Sequence, residues 1–395
     1  MITVREAKKL IAGNAITGKQ QVRFLQDTIG LTLAEDIYAQ YDIPAFPQSS
    51  MDGYAFRFDD LQEFDALTIV DESAAGNTKT VSIGKGEAVR IFTGAPLPEG
   101  ADTVVMQEKV RLEQGILFVE DERLVAGMHM RNAGSEIKAG MLAMEKGQKI
   151  VPAVLGFLAG IGVEQLVVYP PPRIHIIVTG NELQAPGQLL QPGHVYESNS
   201  FSLRAALLQM GVTDVRIAHV TDQLDFVINE INKASIDADI ILLTGGVSVG
   251  DYDFVPEATK TLGVEKIFHK IKQRPGKPLY FGRENDTLVF GLPGNPASVL
   301  TCFYEYVSLA IDGFMKNAEP SLKTVEAKLA TAFSKPAGLT HFLKARYKDG
   351  IVKLLDAQES YRMSSYAKAN CLLVAGEERT NFEAGEMVEV HIIPS

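Results

Sequence analysis

The feature that most constrains the fold is the alternation of strand-like and helix-like segments that follows the proline run YPPPR at residues 169–173. Apolar runs such as RIHIIVTG, ADIILLTGG and TLVFGLPG have the composition of buried strands, and they alternate with segments of helical periodicity such as DQLDFVINEINKAS. This alternation predicts a parallel sheet with helices on both faces. We therefore expect a central parallel-sheet α/β domain over residues 171–318, preceded by the prolines as a stiff linker.

The segments on both sides of this region predict a multidomain protein. Before it, short β-type runs are punctuated by glycine and proline, and after it the chain returns to short alternating runs such as TVEAKLATAF and MVEVHII. Thr3 and Glu6 have capping-box spacing and predict an opening helix, while VPAVLGFLAGIG predicts a buried helix or helix pair. The predicted domains are a discontinuous helical and linking domain (1–43 and 141–170), an inserted β-rich domain (44–140), the α/β domain (171–318) and a small C-terminal β-barrel domain (319–395).

Composition and charge restrict the partners. The net charge of −11 disfavours nucleic acid and anionic membranes, so an anionic ligand would have to meet a local basic patch. No apolar run is uninterrupted enough to span a bilayer, and the N-terminal MITVREAKKL lacks the apolar core of a signal peptide. Cys302 and Cys371 lie far apart with no C-x-x-C motif, which argues against a disulfide framework. We expect a cytoplasmic protein that binds neither nucleic acid nor membrane.

The ends of the predicted strands supply candidate site residues, because ligands of an open parallel sheet bind beyond the carboxyl ends of its strands. The first strand ends in VTGNEL, which places Glu182 there, and the second ends in HVTDQ, which places Asp222. The third strand leads into TGGVSVGDYD and the last into GLPGNPAS. Four loops are therefore expected to present glycine and carboxylate at one edge of the sheet.

Two of these loops suit an anion or a metal ion. In GNPAS, Asn295 can cap a helix that has Pro296 at its first position, and a helix N-terminus favours phosphate or another anion. TGGVSVGDYD matches neither a Walker loop nor a dinucleotide fingerprint, although its glycines permit close backbone approach. Asp251 and Asp253 would share one side of an extended segment and could bind Mg²⁺. Asp253 could equally cap the following helix, and the sequence leaves both interpretations open.

The segment KIKQRPGKP supplies positive charge in an otherwise acidic protein. It contains Lys270, Lys272, Arg274 and Lys277 around a proline-glycine turn between strands. A cationic run is usually a solvated face. Here the turn would aim Arg274 and Lys277 in defined directions, and we favour an anion-binding role.

Two motifs of the N-terminal part have both a plain and a functional interpretation. FPQSSMDGYAF contains Asp52 followed by Gly53, and a hairpin turn at this pair is the simpler interpretation. IFTGAPLPEGAD is either a proline-rich turn or a loop that reaches a site through Thr93.

Together, PQSSMDGYAF, IFTGAPLPEGADTVVMQE, VTGNEL, TGGVSVGDYDFV, RPGKPLYFG and GLPGNPASV resemble the molybdopterin molybdenumtransferase family, the MoeA-type enzymes that also occur as the E domains of gephyrin and its plant counterpart. The motifs follow one another over nearly the whole chain. The resemblance implies an elongated homodimer of four-domain subunits, whose α/β domain is shared with the adenylyltransferases of the preceding step. It also implies insertion of molybdate into the dithiolene of adenylylated molybdopterin, with release of AMP and a divalent cation, usually Mg²⁺. The upstream molybdopterin adenylyltransferase is then an expected partner.

The resemblance also implies roles for individual residues. The residues expected to carry catalysis are Asp52, Thr93, Glu182, Asp222, Asp253, Lys270 and Lys277. Those expected to bind substrate or anion are Gly245, Gly246, Ser248, Arg274, Pro293, Gly294, Asn295, Pro296, Lys344, Ser360 and Ser364. The expected metal ligands are Glu182, Asp222, Asp251 and Asp253. Asp52 would reach the site from the other subunit, so the active site would be shared. Lys344 stands where the family has an arginine, which removes a bidentate fork.

Alternative functions differ in what they require of the chain. An adenylyltransferase acting on molybdopterin and ATP would need only the α/β domain, which leaves the segments on both sides unexplained. A non-catalytic dimeric scaffold could lose its acidic residues, whereas this sequence keeps them. No residue distinguishes molybdate from tungstate. The chemistry implied by the resemblance requires no protein nucleophile, because the sulfurs of the ligand itself attack molybdenum.

Overall fold

The computed structural model of the protein describes residues 1–76, 79–247 and 254–394. The helices are α1 (Val4–Gly13), α2 (Asp60–Glu63), α3 (Pro152–Gly160), α4 (Asn199–Gln209), α5 (Leu224–Ala234), α6 (Val255–Thr261), α7 (Pro296–Cys302), α8 (Ser308–Phe314) and α9 (Met363–Tyr366). A π-helical turn, Phe303–Val307, joins α7 to α8, and short 3-10 turns occupy Leu25–Asp27 and Gln107–Lys109.

The strands are short in the first part of the chain and longer in the second. They are β1 (Gln21–Phe24), β2 (Thr32–Leu33), β3 (Ile37–Tyr38), β4 (Gln48–Ser49), β5 (Gly53–Phe56), β6 (Leu67–Ser73), β7 (Glu87–Ile91), β8 (Thr103–Met106), β9 (Val110–Glu113), β10 (Ile116–Val119), β11 (Met130–Arg131), β12 (Leu142–Met144), β13 (Gln165–Tyr169), β14 (Ile174–Thr179), β15 (Leu183–Gln184), β16 (Val195–Tyr196), β17 (Val215–Val220), β18 (Ile240–Thr244), β19 (Glu265–His269), β20 (Gln273–Arg274), β21 (Tyr280–Glu284), β22 (Thr287–Leu292), β23 (Lys323–Leu329), β24 (Phe333–Ser334), β25 (Thr340–Lys348), β26 (Ile351–Leu354), β27 (Cys371–Ala375), β28 (Asn381–Phe382) and β29 (Met387–Ile392).

The chain divides into two compact units. The first unit consists of Met1–Ala34, Gly147–Val151 and Gln165–Ser395, and the second consists of Glu35–Lys146 and Pro152–Glu164. The second unit is β-rich, as the runs punctuated by glycine and proline predicted. Its main sheet has the order β8-β5-β7-β6-β10-β9 and buries Phe56, Leu67 and Leu117 in one apolar cluster.

The first unit contains the predicted α/β domain. Its sheet has the order β17-β14-β18-β22-β21-β19, in which β17, β14, β18 and β22 are parallel. The pairs β19–β21 and β21–β22 are antiparallel, and no helix lies between these three strands in the chain. Ile177, Leu243 and Val289 pack in one cluster with residues of α5 and α6. Ile176 and Phe290 on alternate positions are also fully buried, as expected when both faces are covered.

The C-terminal part of the first unit forms the predicted small β-barrel. Strands β25, β26, β23, β29 and β27 close into a barrel, since β27 pairs back with β25. Leu329, Val352, Leu373 and Val390 form its core. The short strand β20 joins β25 in parallel, with Gln273 opposite Thr340. The barrel and the α/β domain therefore share backbone pairing.

The capping of two helices and the burial of a third can be compared with what the sequence indicates. The capping box at α1 is present, with the Thr3 side chain accepting from the Glu6 backbone and the Glu6 carboxylate accepting from the Thr3 backbone. At the start of α4 the Ser198 side chain forms no capping hydrogen bond, and Glu197 accepts hydrogen bonds from the backbone and hydroxyl of Ser200 at 2.8 and 2.6 Å. The segment predicted as a buried helix is α3, but in this fully described helix Leu158 is the only buried residue.

In the described parts of the chain, no helix combines the length and the apolar character that crossing a membrane requires.

Candidate active site

The loops at the carboxyl ends of the parallel strands meet around one cavity of about 260 Å³. The residues that line it are Thr179, Gly180, Glu182, Asp222, Gly245, Gly246, Val247, Pro278, Pro293 and Gly294. The cavity therefore receives residues from the ends of β14, β17, β18 and β22, as the strand-end argument predicted. It also receives Pro278, which lies at the end of the cationic turn RPGKP.

Gly245 explains how two loops approach each other closely. Its φ is +90°, and a Cβ atom at this position would lie 2.7 Å from the carbonyl oxygen of Thr179 on the neighbouring strand. A side chain at Gly245 would push the ends of β14 and β18 apart. This part of the cavity wall is therefore backbone.

The two described carboxylates of the cavity are held in different ways. The Asn181 N–H donates to Asp222 Oδ2 at 3.2 Å, and the Asp222 N–H donates to Asn181 Oδ1 at 3.1 Å. This reciprocal pair fixes the loops after β14 and β17 to each other. Glu182 folds back over Gly180, where a Cβ atom would lie 2.9 Å from its Oε2. Gly180 thus leaves room for the Glu182 carboxylate.

The cationic turn retains unneutralised charge. Arg274 and Lys277 are exposed and Lys270 is half-buried, and none of the three forms an ion pair within residues 1–76, 79–247 and 254–394. Lys272 differs from them, because its Nζ lies 3.8 Å from Glu377. The neighbour of Lys270, His269, contacts the carbonyl oxygen of Val247 at 3.0 Å, which ties this edge of the sheet to the cavity wall.

The GNPAS turn contacts the barrel. Pro296 occupies the first turn of α7 as predicted, but the Asn295 side chain does not cap that helix. Its Nδ2 donates instead to Ser360 Oγ at 3.0 Å, and the Ala297 N–H donates to the Ser360 carbonyl at 3.0 Å. The capping role predicted for Asn295 is therefore wrong. Ser364 lies exposed in α9.

Lys344 does not present its ammonium group at an open surface. Only 3 % of the residue is exposed, and Nζ donates to the carbonyl oxygens of Ala357, Glu359 and Arg362 at 2.7, 3.2 and 3.0 Å. Burial lowers the pKa of this lysine. All three N–H groups of the ammonium are engaged, so an anion would reach Lys344 only if these hydrogen bonds broke. In the structure Lys344 anchors the segment that contains Ser360.

Asp52 and Thr93 lie together in the second unit. The Thr93 N–H and hydroxyl both donate to Asp52 Oδ1 at 2.8 Å, and these hydrogen bonds lower the pKa of the Asp52 carboxyl. The hairpin interpretation of Asp52-Gly53 is wrong, because β4 pairs with β11 while β5 pairs with β7 and β8. Gly53 is needed for close approach: a Cβ atom there would lie 1.8 Å from the Val105 carbonyl oxygen.

Part of the predicted metal set lies outside the described residues, namely Asp251 and Asp253, together with Ser248 of the same loop. Among the residues that are described, no three His, Cys, Asp or Glu side chains group as a metal site. Glu182 and Asp222 are thus the members of the predicted set that the structure brings to one cavity.

The sequence analysis missed a buried charged network in the first unit. Lys8 Nζ donates to Glu305 Oε2 at 2.6 Å, and His391 contacts Glu305 Oε1 through Nδ1 at 2.7 Å and Glu389 through Nε2 at 3.0 Å. Burial disfavours a charged imidazole, but the hydrogen bonds to the two carboxylates outweigh it and raise the pKa of His391. Lys8, Glu305 and the pair of Glu389 and His391 lie far apart in sequence, and no local pattern identifies the network.

The fold and the cavity define a multidomain α/β protein with a candidate ligand site at the carboxyl edge of a largely parallel sheet. Comparison with known families refines this class. The chain matches the MoeA N-terminal region (domain I and II) over residues 2–162, the probable molybdopterin binding domain over 175–313, and the MoeA C-terminal region (domain IV) over 326–393.

Relatives and solved structures cover the whole chain. A molybdopterin molybdenumtransferase of Bacillus subtilis is 33 % identical over 99 % of this chain and 94 % of its own length, and one of Haemophilus influenzae is 31 % identical over 99 % and 98 %. The crystal structure of a molybdopterin biosynthesis MoeA protein from Pyrococcus horikoshii superposes with a TM-score of 0.81, at 28 % identity and coverage of 99 % and 100 %. The chain therefore belongs to the molybdopterin molybdenumtransferase family, transferases of molybdenum cofactor biosynthesis.

Proposed function

We propose that the protein inserts molybdate into the dithiolene of adenylylated molybdopterin and releases AMP, with the 260 Å³ cavity as its active site. The observation that carries this proposal is the meeting of Glu182 and Asp222 with the glycine loops and with Pro278 of the cationic turn around that cavity. The names of the relatives support the transfer of molybdenum to molybdopterin.

The charges of the described residues support an anionic substrate. Molybdate and the adenylylated cofactor are both anions, whereas the whole chain has a net charge of −11. Lys270, Arg274 and Lys277, which form no ion pair with any residue that the structure describes, are therefore the groups proposed to hold molybdate and phosphate oxygens through charge-assisted hydrogen bonds. Because the sulfurs of the ligand attack molybdenum, the protein is required to position two anions and to neutralise their charge.

The carboxylates of the cavity fit a magnesium ion. Oxygen donors are the ligands that Mg²⁺ prefers, and Glu182 and Asp222 supply them at one cavity, with Asp251 and Asp253 as further proposed ligands. When bound, the ion would polarise the phosphoanhydride and its attacking water. The hydrogen bonds with Asn181 orient Asp222 for this task and leave its second carboxylate oxygen, Oδ1, for a ligand.

Exposed apolar side chains support a proposed homodimer. Phe201 and Leu208 on α4 are 61 % and 62 % exposed, and Leu189, which precedes α4 in the same domain, is 84 % exposed. Apolar surface of this kind is typical of a subunit interface. We propose that the active site is shared, with Asp52, held by Thr93, completing the site of the partner subunit.

The wider organisation is proposed on the same grounds. The division into 1–43 with 141–170, 44–140, 171–318 and 319–395 remains our proposal for the four domains. We also propose that the enzyme works in the cytoplasm and takes its substrate from the upstream molybdopterin adenylyltransferase.

Activity with defined substrates tests the proposed function. The protein is incubated with adenylylated molybdopterin, molybdate and Mg²⁺, and AMP release and metal-loaded cofactor are measured. We expect AMP and loaded cofactor to form together and to depend on molybdate. Formation of neither, or consumption of ATP in place of the adenylylated substrate, would refute the proposal.

The cationic turn is tested with matched lysines. Lys277→Ala should weaken molybdate binding by about 1.5–3 kcal/mol, the usual loss for a charged hydrogen bond. Lys266, an exposed lysine of β19, provides the control, and Lys266→Ala should leave the affinity as in the wild type. Equal affinities of the two variants by calorimetry would remove Lys277 from the site.

Subunit complementation tests the shared site. At a molybdate concentration that does not saturate Lys277→Ala, the Asp52→Asn and Lys277→Ala variants should each have little activity, and an exchanged equal mixture should recover about a quarter of wild-type activity. Half of the dimers would be mixed, and each mixed dimer would contain one intact site of two. An inactive mixture would place both residues in the site of one subunit.

A further inference from the structure

A buried glutamine, Gln273, supports the cationic turn RPGKP (residues 274–278) through hydrogen bonds. Gln273 is completely buried, and its Nε2 donates to the carbonyl oxygens of Pro275 and Gly276 at 3.0 and 3.3 Å. Its Oε1 accepts a short hydrogen bond from the hydroxyl of Tyr306, which is also completely buried. The amide therefore links the backbone of the turn to the π-helical turn that joins α7 to α8.

The same turn also packs against the end of α7. Gly276 has φ of +85°, and a Cβ atom there would lie 2.4 Å from Cys302 Sγ and 2.8 Å from Gln273 Nε2. The Cys302 thiol itself lies 3.7 Å from the Gly276 carbonyl oxygen. The glycine is thus in direct contact with the groups beneath it, and the turn has no room to settle closer to the helix.

The contacts of Gln273 and Gly276 fix the backbone from which the neighbouring cations extend. Gly276 lies between Arg274 and Lys277, the two exposed cations, and the Ile271 N–H donates to the Lys277 carbonyl oxygen at 2.9 Å. Buried backbone carbonyl groups need hydrogen-bond donors, and the Gln273 amide supplies one to each of the two carbonyl groups of the turn. An apolar residue of equal size would fill the space but would remove the amide donor from both carbonyl groups, and among the described residues only the Gly276 carbonyl would keep a backbone partner, the Leu279 N–H at 3.4 Å.

We propose that Gln273 is a positioning residue for anion binding, and that Tyr306 orients its amide. This inference rests on the proposed function, in which Arg274 and Lys277 bind substrate oxygens. Gln273 touches no substrate; it fixes the backbone from which the two cations extend. Charge-assisted hydrogen bonds depend on the placement of the donors, so a loosened turn reduces affinity although both cations remain.

Two variants remove the link from either end. Gln273→Met keeps the volume and removes the amide, and Tyr306→Phe removes only the hydroxyl. Tyr304→Phe serves as the control, because it removes another buried tyrosine hydroxyl from the same π-helical turn. All variants are measured in the full-length protein by thermal midpoint, amide hydrogen exchange and calorimetric titration with molybdate.

We expect faster exchange at the Ile271 and Leu279 amides, which donate to carbonyl oxygens of the turn. We also expect about a tenfold or greater loss of molybdate affinity in Gln273→Met, and a smaller loss in Tyr306→Phe. In a background with Arg274→Ala and Lys277→Ala, Gln273→Met should cause no further loss of affinity. A residue with only a structural role would lower the thermal midpoint and leave the affinity of the folded protein unchanged.

The outcomes separate this inference from the proposed function. Wild-type exchange in Gln273→Met would refute the link between the amide and the turn. Faster exchange with unchanged molybdate affinity would refute the positioning role and leave the proposed function standing. If the wild-type protein binds no molybdate, the proposed function fails, and the positioning role fails with it even where the exchange data show the turn loosened.

Discussion

The buried network around Glu305 provides a prediction whose magnitude follows from the structure. The Glu305 side chain is fully buried and binds Lys8 through one carboxylate oxygen and His391 through the other. His391 also contacts Glu389, so both of its ring nitrogens face carboxylates and the imidazole is held as the charged form. Glu305→Gln keeps the shape of the side chain and removes its charge.

The expected loss in the free energy of unfolding depends on the charges that remain buried after the substitution. Removing one partner of a buried ion pair costs about 3–5 kcal/mol, because the remaining charge stays out of water. We expect about 3 kcal/mol for Glu305→Gln, at the lower end of that range, because the Lys8 side chain is 31 % exposed and regains solvation.

The pH dependence has a definite sign. The folded-state pKa of His391 is raised above its ordinary value of 6.5, so its contribution to stability is fully present below that value and disappears as the pH rises through the folded-state pKa. Glu305→Gln should therefore be more destabilising at about pH 6 than at about pH 9.

Urea unfolding at both pH values measures this effect. Glu319→Gln is the control, because Glu319 has 84 % of its side chain exposed and pairs with Lys323 at 3.9 Å on the surface. The control should change the free energy of unfolding by less than about 0.5 kcal/mol. Equal losses for Glu305→Gln and Glu319→Gln, or a loss that is independent of pH, would refute the assignment of a charged His391.

Three further predictions concern Lys344, Gly53 and Thr93. Lys344→Met leaves three carbonyl groups without their donor and should lower the free energy of urea unfolding by about 3 kcal/mol; an unchanged midpoint would contradict the anchoring role. Gly53→Ala should lower the free energy of unfolding by at least about 3 kcal/mol and reduce soluble yield. Gly156 has open space around it, so Gly156→Ala should be tolerated. Thr93→Val keeps the backbone N–H and removes the hydroxyl, so it should raise the pKa of the Asp52 carboxyl part of the way toward its ordinary value of 3.8 in an NMR titration, and an unchanged pKa would show that the Thr93 hydroxyl does not contribute to lowering it.

Much of the fold could be predicted because its signals are local. The parallel strands β14, β18 and β22 are buried on both faces, which forces them to be continuous apolar runs and makes them visible in the sequence. The strand-end argument located Glu182 and Asp222 at one cavity for the same reason, since parallel strands end at a common edge.

The parts that could not be predicted depend on contacts distant in sequence. Lys8 and Glu305 are 297 positions apart, and neither belongs to a motif. Lys344 carries a positive charge, but whether it meets an anion or three carbonyl groups depends on the path of the segment that returns over it. Asn295 was placed correctly before a helix, yet the nearby Ser360 offered its side chain another partner.

These distant contacts converge on one element, the continuous helix formed by α7, the π-helical turn and α8. At its start, Ala297 binds the barrel segment through Ser360. Cys302 and Tyr306 are four positions apart on one face, and both contact the groups that support the cationic turn. Glu305 lies between them in sequence and binds Lys8 and His391 instead. A single buried helix therefore fixes the turn and the barrel relative to the sheet that carries the carboxylates. Anion affinity should then depend on the integrity of this helix as well as on the exposed cations, because the helix holds the groups from which those cations extend.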